Sequence, residues 1–192
     1  VPEDPMDRMR LIRAMNTKLP GVHEDDRTSS VAGLASRLAM LSEAEATFEL
    51  LCLGRNDEVT AQALVELAPY LPRDCILLIE QRIRTASISG HEGRSYLQAR
   101  LAPSLARLGE VSRALEYARA VDEKWRAMAY LGIAAGTNGE MHRRAILDAL
   151  TTVLDLREVW RREQLDGVVQ AIVEDQASAE AAWAIALEWA HA

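Results

Sequence analysis

The feature that most limits what this chain can fold into is a recurrence. An apolar anchor followed by a small or branched residue returns at Leu34-Ala35, Leu67-Ala68, Leu101-Ala102, Ile133-Ala134 and Val168-Val169, at separations of 33, 34, 32 and 35 residues. Three positions before each anchor stand Val31, Leu64, Gln98, Tyr130 and Leu165, and four after it Leu38, Leu71, Leu105, Thr137 and Ile172. These three positions share one face of a 3.6-residue helix, so each anchor marks an amphipathic helix A. A helix B follows after a short break. Ser42 with Glu45 reads as a capping box opening the first, and Asp74, Gly109, Gly139 and the stretch Asp175 to Ser178 mark the later starts. Asp155 with Glu158 reads as a further capping box ahead of the fifth helix A.

Helix pairs repeating about every 34 residues predict an all-α fold: an α-solenoid of about five antiparallel pairs preceded by one helix. Neither helix of a pair can bury its apolar stripe alone, so neighbouring units must stack. The units fall near 27–59, 60–93, 94–125, 126–160 and 161–192, a helical-repeat domain over 27–192. Residues 1–26 form a leading helix and linker. Asp4-Pro5 opens that helix, Met9, Ile12, Met15 and Leu19 mark its apolar face, and Pro20-Gly21 ends it. It is either a cap or the second half of a truncated repeat.

Composition bounds the function. Aromatic residues make up only 5% of the chain, so burial must rest on Ala and Leu in closely packed helices. A net charge of −7 argues against general nucleic-acid affinity, which needs a basic face. Cys52 and Cys75 lie in or beside apolar patterns and make no disulfide framework, so a reducing cytoplasm is the expected location. No run approaches the ~18 apolar residues of a membrane span, and the signal-peptide pattern is missing. A start at Val1 rather than Met raises the expectation of an excised piece of something longer.

Catalytic motifs are not found. His23, His91, His142 and His191 lie far apart, so zinc is not expected. Gly132, Gly136 and Gly139 follow a helix with no Lys-Ser or Lys-Thr after them, and read as close packing and a turn rather than a phosphate cradle. There is no G-x-S-x-G elbow and no Cys-Gly nucleophile motif. The expectation is a non-enzyme with no catalytic residues, no metal and no cofactor.

The most ordered polar feature is a series of arginines. Arg27, Arg94, Arg126 and Arg161 stand seven residues before four of the anchors, each shortly after an acidic residue (Asp26, Glu92, Asp122, Glu158). The structural reading is a clamp between units that pairs with a helix-end carbonyl or a neighbouring carboxylate. The functional reading is a ladder of guanidinium groups for an acidic partner. Trp125 and Trp160 precede two of them and are expected to pack at the same joins. The last helix, SAEAAWAIALEWAHA, lacks the polar outer face of a terminal cap. Either a further repeat or domain covers it, or it docks on a partner or on a second copy.

Leu101-Ala102, Leu105, Gly109, Val111, Ala114, Ala118 and Val121 resemble the small and large positions of a tetratricopeptide repeat, although that family's early Trp and late Pro have no counterparts. The looser pattern, an arginine seven residues before a Leu-Ala pair, is similar to the degenerate repeats in the sensor regions of bacterial signal-transduction ATPases of the STAND/NACHT type. Pro69 and Pro103 each fall two residues after an anchor, inside helix A, and should free the carbonyls of Val65 and Ala99 and bend the helices. The resemblance implies that this position faces a concave groove, lined by Gln62, Arg73, Tyr96, Arg107 and Asn138. It implies a non-catalytic scaffold that binds a protein or peptide, with Arg73 and Arg107 suited to an acidic one. The alternative is a sensor or autoinhibitory segment of a larger signalling ATPase.

Overall fold

The alternation of short apolar helices with Pro, Gly and acidic breaks produces a chain of helices. A computed structural model of the protein describes residues 44–52, 57–88 and 90–191. The leading helix, the first helix A with its anchor Leu34, Arg27 and the Ser42 cap lie outside the described residues. The described part holds nine α-helices: α1 (Ala44–Cys52), α2 (Glu58–Leu67), α3 (Arg73–Thr85), α4 (Gly90–Arg107), α5 (Val111–Ala120), α6 (Glu123–Ala135), α7 (Gly139–Asp155), α8 (Glu158–Glu174) and α9 (Gln176–His191). A 3-10 turn, Ala68–Tyr70, follows α2. The described residues contain no strand and the fold is all-α. Even-numbered helices carry the anchors; odd-numbered helices are the intervening ones.

The anchors Leu67, Leu101, Ile133 and Val168 are all fully buried. Around them the core is built from alanines and branched side chains, among them Ala63, Ala102, Ala114, Ala118, Ala127, Ala145, Ile76, Ile83 and Ile146. Small residues let helix axes approach, and this offsets the scarcity of aromatic side chains. The substantial contacts of the α-helices join elements one or two apart in the chain, including α2 with α4, α4 with α6, α6 with α8 and α7 with α9. The long-range hydrogen bonds that involve side chains obey the same rule, spanning 27 to 40 residues. Arg100 bonds Glu66 at 2.6 Å from α4 to α2, and Arg107 donates to the Ala68 carbonyl at 3.1 Å. Glu80 of α3, only 4% exposed, takes bonds from Arg113 and from the Tyr117 hydroxyl of α5, the latter at 2.7 Å. A buried carboxylate must be paired in this way, because desolvation without partners costs more than folding can absorb.

The helix ends follow from local chemistry. Asp57 caps α2, its side chain accepting from the Thr60 N–H at 2.9 Å. Gly109 takes φ +81°; the Gly109 and Glu110 amides donate to the carbonyls of Ala106 and Leu105, both at 3.0 Å, closing α4 with a Schellman motif. Other starts differ from expectation. The residue at the N-cap of α3 is Pro72, and Asp74 lies in the first turn, where its charge complements the helix dipole. No Asp155 capping box forms: Asp155 is the last residue of α7, and Arg157 precedes α8 without a side-chain cap bond. Helices α4, α6 and α8 begin three to four residues before the unit starts read from Arg94, Arg126 and Arg161.

The two prolines part company. Pro103 sits inside α4, which continues through it to Arg107. At Pro69 the α-helix instead stops at Leu67 and tightens into the 3-10 turn, and the Val65 carbonyl is not free but accepts from the Ala68 N–H. The tighter turn lets the bond bypass the proline, which has no N–H to give. Pro103 does not open onto a groove either: a Cβ added to Gly132 of α6 would lie 2.2 Å from its Cγ, and one added to Gly136 would lie 2.9 Å from its carbonyl oxygen. These glycines permit α6 to lie close against α4 at the proline.

Candidate functional site

The register that buries the anchors leaves another stripe of helix A part-exposed. On α6 the stripe is Lys124, Trp125, Met128 and Leu131; on α8 it is Trp160, Gln164 and Gly167. Steps of three and four residues place each set on one helix face, and between them lies a mainly apolar groove of about 310 Å³. Trp125 and Trp160 hold the same register, each eight residues before its anchor. Tyr96 of α4 meets Trp125 edge-on, with ring centroids 4.9 Å apart and planes at 64°, so the aromatic strip continues onto a third helix. Lys124 lies over the Trp125 ring at 4.7 Å and Arg157 over the Trp160 ring at 4.2 Å, placing a cation at each indole.

Two covered polar atoms in the groove walls have no hydrogen-bond partner among the described residues. One is the Trp125 indole N–H, a donor; the other is the Gln164 Oε1, an acceptor. The Gln164 amide nitrogen donates to the Lys124 carbonyl, which fixes the side chain across the gap between α8 and α6. An unpaired buried polar group costs about 1–3 kcal/mol, so a ligand or water that reaches either atom gains that back.

The five residues expected to line a groove are not joined to one another by any hydrogen bond, ion pair or ring contact among the described residues. Tyr96 is at the aromatic strip. Gln62 is half-buried on α2, and no side-chain hydrogen bond joins it to another described residue. Arg73 is paired with Glu110, and Arg107 with the Ala68 carbonyl, so both guanidinium groups serve contacts between neighbouring units. Asn138 is exposed at the N-cap position of α7 and makes no cap bond. Met128 sits five residues before its anchor, the register of Gln62 and Tyr96, and that periodicity was the signal that would have found it.

The repeated arginines make one repeated contact. Arg94 donates to the Ala86 carbonyl at 3.4 Å, Arg126 to that of Val121 at 3.2 Å, and Arg161 to that of Leu156 through Nε at 3.1 Å and Nη2 at 2.7 Å. Ala86, Val121 and Leu156 are the C-cap residues of α3, α5 and α7. Each guanidinium therefore meets the carbonyl end of the preceding helix, where the helix dipole is negative and backbone acceptors lack intrahelical donors.

A serine, a histidine and an aspartate also meet. Ser95 Oγ is 3.3 Å from His91 Nδ1, and Asp122 Oδ1 is 3.0 Å from the same nitrogen. A proton relay needs the acid and the nucleophile on opposite ring nitrogens; here both crowd Nδ1, and Ser95 is buried while accepting from the Asp122 amide at 3.3 Å. The cluster ties the start of α4 to the turn before α6. Among the described residues no group of three His, Cys, Asp or Glu side chains gathers in a metal-binding arrangement. Cys52 and Cys75 are free thiols, pushed above the ordinary range by burial and, for Cys75, by the carboxylates nearby. Such thiols are poor nucleophiles. No described helix is long and apolar enough to cross a membrane. Comparison with protein-family models, with curated proteins and with solved structures gives no match.

Proposed function

We propose that the chain is a tetratricopeptide-like α-solenoid acting as a non-catalytic scaffold, and that its ligand is an extended peptide seated on the helix A surface between α6 and α8. Buried anchors at one register and the confinement of contacts to near neighbours support the stacked architecture. The groove carries the functional reading. Trp125, Met128, Leu131 and Trp160 offer apolar walls for a side chain, and tryptophan is the residue most enriched where binding energy concentrates. An indole donor and an amide acceptor without partners match the C=O and N–H that an extended backbone presents. Arg157 has no carboxylate partner among the described residues and favours an acidic residue at the peptide's flank. Arg94, Arg126 and Arg161 act in this reading as inter-unit clamps.

The test is selection of binders from a displayed random-peptide library, followed by titration against the native chain and a Met128→Glu variant. Met128 is half-buried at the groove wall, so the charge enters the groove without entering the core. Selected peptides should carry an apolar residue near an acidic one and lose at least tenfold in affinity for the variant. Peptides that bind both proteins equally, or no enrichment at all, would reject this site.

A further inference from the structure

Gly167 lines the groove without a packing reason to be glycine. It lies well inside α8, a helix of 17 residues, where glycine destabilises relative to alanine. Gly132 and Gly136 are held to glycine by Pro103, whose Cγ and carbonyl oxygen an added Cβ would meet at 2.2 and 2.9 Å. At Gly167 an added Cβ would meet nothing closer among the described residues than Leu131 Cδ1, at 3.4 Å, and the backbone takes no positive φ there. What the missing side chain leaves is room. Gly167 and Leu131 stand on the two walls of the groove, so a methyl group at position 167 would narrow the space between α8 and α6.

The other wall residues define what that room suits. The groove holds about 310 Å³, against the ~150 Å³ in which an apolar cavity takes up a benzene ring. Met128 presents a thioether, which contacts aromatic rings favourably. Trp125 and Trp160 supply aromatic surface, against which a ring gains more than an aliphatic chain of equal area. Trp125 already makes such a contact with Tyr96, edge to face. A cation is the poorer occupant, because Lys124 and Arg157 lie over the two indoles. We propose that Gly167 is a specificity-determining residue: its missing side chain opens the groove to an aromatic side chain of the bound peptide. This rests on the peptide-binding reading of the groove and adds the class of residue recognised there. The unpaired Trp125 N–H and Gln164 Oε1 are left to the peptide backbone, so the ring needs no polar tip and phenylalanine is the simplest occupant.

The test uses the full chain and peptides selected on it from a displayed random library, each titrated beside a counterpart in which valine replaces the aromatic residue. On the native chain the aromatic form should bind about tenfold more tightly or better, since even one methylene in an apolar pocket discriminates by that much. Gly167→Ala should reduce the ratio to about threefold or less. Its thermal midpoint should stay at or above the native one, which separates lost room from lost fold. Selected peptides without an aromatic residue, an unchanged ratio in Gly167→Ala, or a lowered midpoint in that variant would overturn the role given to Gly167. In each of those cases, loss of peptide binding in Met128→Glu would leave the groove itself standing. Peptides that bind Met128→Glu as tightly as the native chain, or no enrichment at all, would remove the groove and this assignment with it.

Discussion

The fourth unit, α6 with α7, and the fifth, α8 with α9, share one register but differ in cover. In the fourth unit Ile133, Ala134, Ala145, Ile146, Ala149 and Val153 are buried, because α6 packs on α4 and α8 while α7 packs on α6, α8 and α9. In the fifth the anchor Val168 is still buried against the fourth unit, but the next residue, Val169, is 47% exposed, and Val173, Trp183, Leu187 and Trp189 are exposed as well. Equivalent residues thus differ in environment according to whether a further described helix pair packs against them. Burial at this register is a property of the neighbouring helices as well as of the side chain.

The strongest way to break the comparison is paired truncation. Ile133→Ala should cost about 2–5 kcal/mol, as large-to-small changes in closed cores do, while Val169→Ala should stay within about 0.5 kcal/mol. Equal losses in urea unfolding would show that the buried anchor of the fourth unit and the exposed position after the anchor of the fifth do not differ in cover. A second pair uses the glycines. Gly132→Ala drives a methyl into Pro103 and should destabilise by about 1–3 kcal/mol. Gly167→Ala meets only Leu131 Cδ1, at 3.4 Å, an ordinary contact, and should stabilise by about 0.5–1 kcal/mol through helix propensity. Thermal melts of the two variants should move in opposite directions. The third test is at the arginines: Arg161→Ala, which removes two bonds to the Leu156 carbonyl, should lower stability by about 1 kcal/mol, and Arg94→Ala, with one longer bond, by less. An undisturbed midpoint in Arg161→Ala would reject the clamp.

What could be read from the sequence was what depends on local pattern. The anchors, the alternation of helices and the break at Gly109 follow from spacing and from the one residue that readily accepts a positive φ. The arginines pointed to helix-end acceptors because they recur at the joins. Misreadings arose where local rules compete. Pro69 and Pro103 have the same sequence context, yet one ends a helix and the other stays within it, because only Pro103 is matched by glycines on the next helix, at Gly132 and Gly136. Asp155 and Glu158 satisfy the spacing of a capping box, but α7 runs through Asp155 and removes it from the cap position. The candidate groove was the least legible part. Trp125 and Trp160 stand at joins in the sequence pattern; that they line one groove depends on the lateral distance between α6 and α8, which periodicity within either helix does not encode.

Hydrogen exchange measured residue by residue, with and without a selected peptide, tests the central claim most directly. The account predicts that added protection falls on α6 and α8 around Trp125, Met128 and Trp160, with the Trp125 indole N–H among the slowed protons. Protection centred instead on the exposed face of α9, at Trp183 and Trp189, with α6 and α8 unchanged, would contradict it.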